Sequence, residues 1–501
     1  MQVTSLDSYG ATWSVLGLVI LLYALHIRHK WFKLPLPPGP RGWPLVGNLF
    51  DLPPRNEWEA YLGWSKEYNS DIIHLDLAGT PTIILCSMEA INDLLEKRSS
   101  MYSDRRWRAH RRLFHQELNE TAAHRFRPKQ LAASHELLRR ILHNPDDVMD
   151  HFRHFAGEVI MFAAYGIDVL PSNDPYVALA KEAVDTWSIA SIPDGLNLDA
   201  FISLQDSIPI LRYVPSWLPG AGFKRKAKEW RKLARAMVDE PFAEVKRKMA
   251  LGTASPSFTS NSLYGIAEAQ DRDHQEQIVK STAGTMYVGG ADTAASALGT
   301  FILAMLANPD AQKKAQREVD SVTRRGYLPE FNDEAAMPYV AAVMKELLRW
   351  KPITPIANPH YLAVEDVYRG YRLPAGSVVI GNAWSVAMYP DPYAFKPERF
   401  LLANGQPNHA VRSPDAAAFG YGRRICPGRY MAHSSIWIGV VSMLATFNIT
   451  KAIGDDGNPI EPSYEYRSGL VRSPLPFKCS IRPRSQEAAE LIRATSLTTA
   501  N

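Results

Sequence analysis

One cysteine in this 501-residue chain sits in a setting that can do chemistry. Cys426 lies in the run Phe419-Gly420-Tyr421-Gly422-Arg423-Arg424-Ile425-Cys426-Pro427-Gly428. A cysteine thiolate is a soft anionic ligand that suits iron, and nearby guanidinium groups stabilise its charge. Gly422 and Gly428 permit a tight backbone around the sulfur, which brings amide N–H groups close to it. Donors aimed at a ligating sulfur tune how much charge it gives to a metal. The usual fate of a lone cysteine is burial as a small hydrophobe, which explains none of this spacing. Phe419, Gly422, Arg424, Cys426 and Gly428 form F-x-x-G-x-R-x-C-x-G. Chance supplies such a five-position pattern to a chain this long roughly once in ten thousand.

Other residues with chemical potential lie on helices. A periodic run from about Asp273 to Leu306 predicts a helix ~50 Å long at ~1.5 Å per residue. Inside it sits Gly289-Gly290-Ala291-Asp292-Thr293. Two glycines there cost roughly 1 kcal/mol each relative to alanine, so something should offset them. Thr293 can bond back to the carbonyl of Gly289 and distort the helix. A local opening of that kind could hold dioxygen and water, with Asp292 relaying protons. Helix packing, with Asp292 solvated, is the plainer alternative. Glu346 and Arg349 are three apart and share a helix face. Their neighbours Leu347, Leu348 and Trp350 predict a buried pair, which needs a network to be tolerated. Trp107 and Arg111 are four apart on a further helix within a basic stretch.

The cysteine loop resembles the heme-binding loop of the cytochrome P450 superfamily, and the chain resembles that family along nearly its whole length. The resemblance implies heme b with Cys426 as the axial thiolate to iron. It implies Asp292 and Thr293 as the acid and threonine of the oxygen-activating helix. Phe419, Arg424 and Gly428 follow as cofactor-loop residues. Trp107 and Arg111 match the family's W-x-x-x-R helix, and His360 lies where the family often places a propionate partner. Glu346 and Arg349 map to the E-x-x-R pair, with Arg399 as the third, structural member. The implied activity is insertion of one oxygen atom of O2 into an apolar substrate. Its partners would be an NADPH-cytochrome P450 reductase and, as an option, cytochrome b5. Texture in Asn92–Arg98 and Trp217–Phe223 is similar to basidiomycete enzymes of secondary metabolism. A heme-binding but inactive membrane protein, or a rearrangement or peroxide-driven enzyme, are the alternatives. The implied fold is mainly α with a small β-sheet region and an N-terminal transmembrane helix.

The rest of the chain agrees. It is 46% hydrophobic and 22% charged, as globular enzymes are. A net charge of +4, without a zinc-finger or RNA-binding signature, argues against a nucleic-acid partner. Cys86 and Cys479 are the other cysteines; so few, so widely spaced, suit a reducing compartment. No charged residue falls between Asp7 and Arg28, which is enough apolar chain to span a bilayer. Arg28, Lys30 and Lys33 follow and predict that the remainder stays cytosolic. Membrane lipid is therefore an expected partner, and a single-pass endoplasmic-reticulum protein the expectation. Leu34-Pro35-Leu36-Pro37-Pro38-Gly39-Pro40 makes a stiff spacer. The domains read as 1–33 anchor, 34–54 hinge and 55–501 catalytic unit. No Gly-rich dinucleotide fingerprint follows a strand, so electrons must come from another protein.

Two junctions are short. The chain passes from Asp104 through only Arg105 and Arg106 to Trp107, where family members carry a loop of roughly twenty residues of the functional kind. Trp384 and Tyr389 are also closer than is usual. Either the pocket is unusually open or coding segments were skipped.

Overall fold

The structure, a computed structural model, describes residues 34–53, 55–103, 107–190, 215–218, 221–266, 270–382, 384, 389–467 and 471–498. Side chains at a few helix positions, Trp107 among them, fall outside that description. So does the expected anchor over 1–33, and so do 104–106 and 385–388 at the two short junctions.

The longer helices are α1 (Glu57–Glu67), α2 (Trp107–Leu118), α3 (Arg127–His143), α4 (Val148–Tyr165), α5 (Pro175–Ala190), α6 (Gly222–Ala250) and α7 (Phe258–Gly265). They continue with α8 (Arg272–Ala291), α9 (Thr293–Ala307), α10 (Pro309–Val322), α11 (Pro338–Trp350), α12 (Arg429–Thr446) and α13 (Gln486–Thr498). Every residue from Ala294 to Leu306 is buried. A helix apolar on all sides belongs inside a core, and α9 has that place. Phe155 of α4, Leu298 and Phe301 of α9 and Trp437 of α12 share one buried cluster. The stretch Arg272–Ala307 has the length and hydropathy of a membrane span, yet it is mostly buried within the protein, as a core helix is.

The expected single helix from Asp273 to Leu306 is two helices, α8 and α9, meeting at Asp292. Asp292 leaves helical geometry at φ −121°, ψ −23°. At the break the Thr293 hydroxyl donates to the Gly289 carbonyl at 2.7 Å, the bond that its sequence position allows.

Strands are few. β1 (Ile72–Leu77) and β2 (Thr80–Leu85) form a hairpin, in register from Ile72–Leu85 to Leu77–Thr80. Its turn, Ala78-Gly79, has both φ angles positive, the geometry that suits two-residue hairpins. β3 (His360–Tyr361), β4 (Asp366–Tyr368), β5 (Tyr371–Leu373) and β6 (Val378–Gly381) follow α11. The main sheet runs β1-β2-β6-β3, with β6 parallel to β2. β4 and β5 pair separately, as do β7 (Phe447–Lys451) and β8 (Cys479–Pro483). In sequence the run Ala90–Lys97 reads as an ordinary helix; the chain makes instead a short α turn, Met88–Ile91, that widens into a π-helix at Asn92–Lys97. Leu94 and Leu95 of that π-helix pack with Val379 of the sheet and with Tyr421 of the cysteine loop.

Candidate active site

The cysteine loop is closed by its own backbone. The Cys426 amide donates to the Phe419 carbonyl at 2.6 Å, and a 3-10 turn spans Gly422–Arg424. Gly422 has φ +54°, and a Cβ there would collide with the Leu95 carbonyl oxygen. Its amide donates to Glu96 Oε1 at 2.7 Å. Leu95 and Glu96 belong to the π-helix, so that widened turn, a frequent device at functional sites, seats the loop. Glu96 is a site residue that sequence reasoning missed; nothing in its local pattern separates it from any helical glutamate.

The environment of the Cys426 sulfur sets it apart from the other two thiols. Burial raises its pKa, opposed by a hydrogen bond from the Gly428 amide and by the charges of Arg429 and Arg111. Burial pushes Cys86 up to about 12 and Cys479 up to about 11 without a cation to oppose it. The net shift of Cys426 is still upward, but among the three cysteines it is the one whose sulfur is faced by cations. Arg429, also absent from the expected set, stands three residues after Cys426, and its guanidinium lies 4.3 Å from the Tyr430 ring. Gly428 differs from expectation. Its φ is −87°, an ordinary value, and an added Cβ would meet no protein atom within 4 Å. The backbone does not demand glycine there; what its bare Cα leaves is open space beside the amide that bonds the sulfur. A thiolate-stabilising donor set with clear space beside it fits a heme.

The expected propionate partners divide. Arg111 donates to the Ile425 carbonyl at 2.6 Å, so α2 braces the cysteine loop. Arg424 donates to the Pro359 carbonyl at 2.8 Å and stands beside His360. His360 is buried, with Nδ1 3.2 Å from the Tyr102 carbonyl. Burial and the Arg424 charge push its pKa down to about 4, so at neutral pH it is uncharged and its single N–H is the one on Nδ1 that the Tyr102 carbonyl accepts. A carboxylate placed beside it would shift it back up. Trp107 opens α2.

On the helix opposite, the two glycines have different reasons. A Cβ on Gly290 would strike Ile160 of α4, so helix packing, the plainer alternative, accounts for it. A Cβ on Gly289 would meet nothing within 4 Å. Gly289 also carries the carbonyl that Thr293 captures, and so is the position left free for close approach of a ligand. The Asp292 carboxylate is held from two sides, by Arg153 Nε at 3.4 Å and Ser473 Oγ at 3.2 Å. Neither partner was foreseen.

Glu346, Arg349 and Arg399 do meet. Arg349 makes a two-pronged pair with Glu346 at 2.7 and 2.8 Å, and Arg399 Nε reaches both carboxylate oxygens at 3.1 and 3.0 Å. Glu346 is fully buried. The arginines also bind the carbonyls of Pro390, Pro392 and Ala394, tying α11 to the chain that leads to the cysteine loop.

Comparison with known proteins agrees with this geometry. The cytochrome P450 family profile matches residues 99–481. A cytochrome P450 monooxygenase of Postia placenta is 42% identical over 507 aligned positions, 95% of this chain and 96% of its own length. One from Rhodocybe pseudopiperita is 41% identical, covering 97% of this chain and 96% of itself. The tryptamine 4-monooxygenase of Psilocybe cyanescens is 41% identical, covering 90% and 94%. The Postia alignment has more positions than this chain has residues, so it includes positions that this chain skips. The chain belongs to the cytochrome P450 family and is a heme-thiolate monooxygenase, which works with a redox partner, an organic substrate and dioxygen.

Proposed function

We propose that Cys426 is the axial ligand of heme b and that this chain oxygenates an apolar organic substrate of fungal secondary metabolism. The observation that carries the ligand assignment is Cys426 itself, half-buried, with its sulfur faced by the Gly428 amide, Arg429 and Arg111. Bound there, heme supplies activation of dioxygen and delivery of one oxygen atom to a C–H bond. The chain's part is to bind, orient and protonate. Arg111 and Arg424 supply positive charge for the propionates, and His360 joins them once a propionate beside it raises its pKa and protonates Nε2. Thr293, fixed by its bond to Gly289, holds water at the helix opening, and Asp292 passes protons to it. Intact Asp292 and Thr293 favour reductase-driven chemistry over a peroxide-driven or inactive protein. The names of the relatives support a small organic substrate and do not single one out. Electrons come from an NADPH-cytochrome P450 reductase, with cytochrome b5 as a second donor.

Thr293→Ala tests the proton step. It should load heme normally but release peroxide in place of product, lowering product per NADPH by about tenfold or more. Unchanged coupling would remove Thr293 from that role.

Residues 1–33 act as a single-pass anchor to the endoplasmic reticulum, with the catalytic unit in the cytosol, and 34–54 as its hinge. Deleting 1–33 should release the protein from membranes with its heme spectrum intact; a full-length protein that is soluble without detergent would contradict the anchor.

The short junctions mark segments that relatives carry. A cavity lined by Trp384, Tyr389, Leu348 and Arg412 lies at the second of them. Sequencing the transcript across the codons for Asp104 and Trp107 decides whether coding segments were skipped.

A further inference from the structure

The break at Asp292 has a neighbour that the proton reading does not use. Residues 465–467 and 471–475 pair as the two arms of a hairpin: Leu475 N donates to Glu465 O and Arg467 N to Ser473 O, each at 2.9 Å. One polar face of α9 is zipped to it. Ser473 Oγ donates to Asp292 Oδ2 at 3.2 Å, Ser296 Oγ donates to the Arg472 carbonyl, and Tyr466 Oη lies 3.2 Å from Thr300 Oγ1. Thr300 spends its own proton on the Ser296 carbonyl at 2.8 Å, so Tyr466 is the donor of that last bond. Asp292, Ser296 and Thr300 are spaced four apart, the spacing of one helix face. The first tooth of this zipper is the carboxylate at the helix break. Its other oxygen faces Arg153 of α4 at 3.4 Å, and Arg153 makes a shorter pair, 3.0 Å, with Asp150. Arg153 therefore divides its charge between two acids, and Ser473 is the donor committed to Asp292. Two donors on different oxygens fix the plane of a carboxylate, whereas one leaves it free to rotate.

We propose that these hairpin arms, 465–467 and 471–475, orient the Asp292 carboxylate for proton handling, with Ser473 and Arg153 as positioning residues. This rests on the assignment of Asp292 as the proton relay. Because the hairpin is also fastened by Ser296 and Thr300, losing Ser473 removes the orientation and leaves the hairpin docked.

The test uses the holoprotein with its reductase and NADPH alone, with no substrate. The variants are Ser473→Ala, Ser473→Thr, Arg153→Gln, Asp292→Asn and the Ser473→Ala/Asp292→Asn pair. The readouts are peroxide released per NADPH, the H2O/D2O ratio of NADPH consumption, the ferric absorption spectrum and apoprotein Tm. Ser473→Ala and Arg153→Gln should each shift the peroxide fraction and the isotope ratio about two- to tenfold, with spectrum and Tm unchanged. Ser473→Thr, which keeps the hydroxyl, should restore both. In the Asp292→Asn background Ser473→Ala should add nothing. Wild-type behaviour of Ser473→Ala beside an altered Asp292→Asn overturns the positioning role and leaves the relay standing. Wild-type behaviour of Asp292→Asn overturns the relay and the proposal with it. Should Ser473→Ala fail to accumulate, Ser473→Gly and Arg153→Gln decide by the same readouts.

Discussion

Cys426→Ala abolishes the thiolate-type spectrum of the reduced carbon-monoxide complex, and with it all monooxygenase turnover. This is the larger of two expected effects, because the other thiols cannot substitute. Cys86 and Cys479 are held up to about 12 and about 11 by burial, and neither has a cation beside it. Cys426 has Arg111, Arg429 and the Gly428 amide working against its own burial. A metal takes the sulfur only as thiolate, so ligation and deprotonation occur together. Apoprotein stability should change little, since the substitution removes a half-buried thiol and leaves the loop closed by the Phe419 carbonyl. Cys86→Ala and Cys479→Ala should keep the spectrum. If Cys426→Ala retains it, or the wild type never shows it, the ligand assignment is wrong.

Glu346→Ala should be the most destabilising single change outside the loop. It leaves two guanidinium groups, Arg349 and Arg399, side by side with 4% and 9% of their side chains exposed. Removing one member of a buried ionic network costs about 3–5 kcal/mol, chiefly through the charges left uncompensated. The Lys396 amide, which donates to Glu346 at 2.6 Å, also loses its acceptor. A fall in apoprotein Tm of about 3–5 °C is expected, with weaker heme retention because the 390–396 segment loosens. Glu346→Gln, which keeps an acceptor but not the charge, should fall between. A Tm within about 1 °C of wild type for Glu346→Ala would show that the network carries no stability.

The parts of the site that the sequence made legible are those with local geometry. Gly422 needs its positive φ, Glu346 and Arg349 share a face by helical spacing, and Thr293 bonds four residues back. Such relations need only a few residues of chain. Partners brought from far away were not legible. Arg153 and Ser473 reach Asp292 across 139 and 181 residues, and no periodicity encodes such a meeting. Fold reading failed in the same manner at the π-helix, whose widened turn is fixed by packing against Tyr421 and Val379, while its sequence suits an ordinary helix. The two glycines of α8 show a subtler limit. Both look alike in sequence, yet one packs against Ile160 and the other faces open space.

The bond from Gly422 to Glu96 joins residues 326 apart, and that from Ile425 to Arg111 joins residues 314 apart. Contacts of such separation form late, after much loop entropy has been spent. During synthesis at ~5–20 residues per second, the π-helix leaves the ribosome roughly 15–60 s before the cysteine loop that it must seat. The nascent chain therefore holds an unfinished cradle for most of its synthesis, and heme can be taken up only near the end of translation or after it. Ribosome-bound chains that stop before Gly422 should retain no heme, whereas chains extended through α12 should begin to do so.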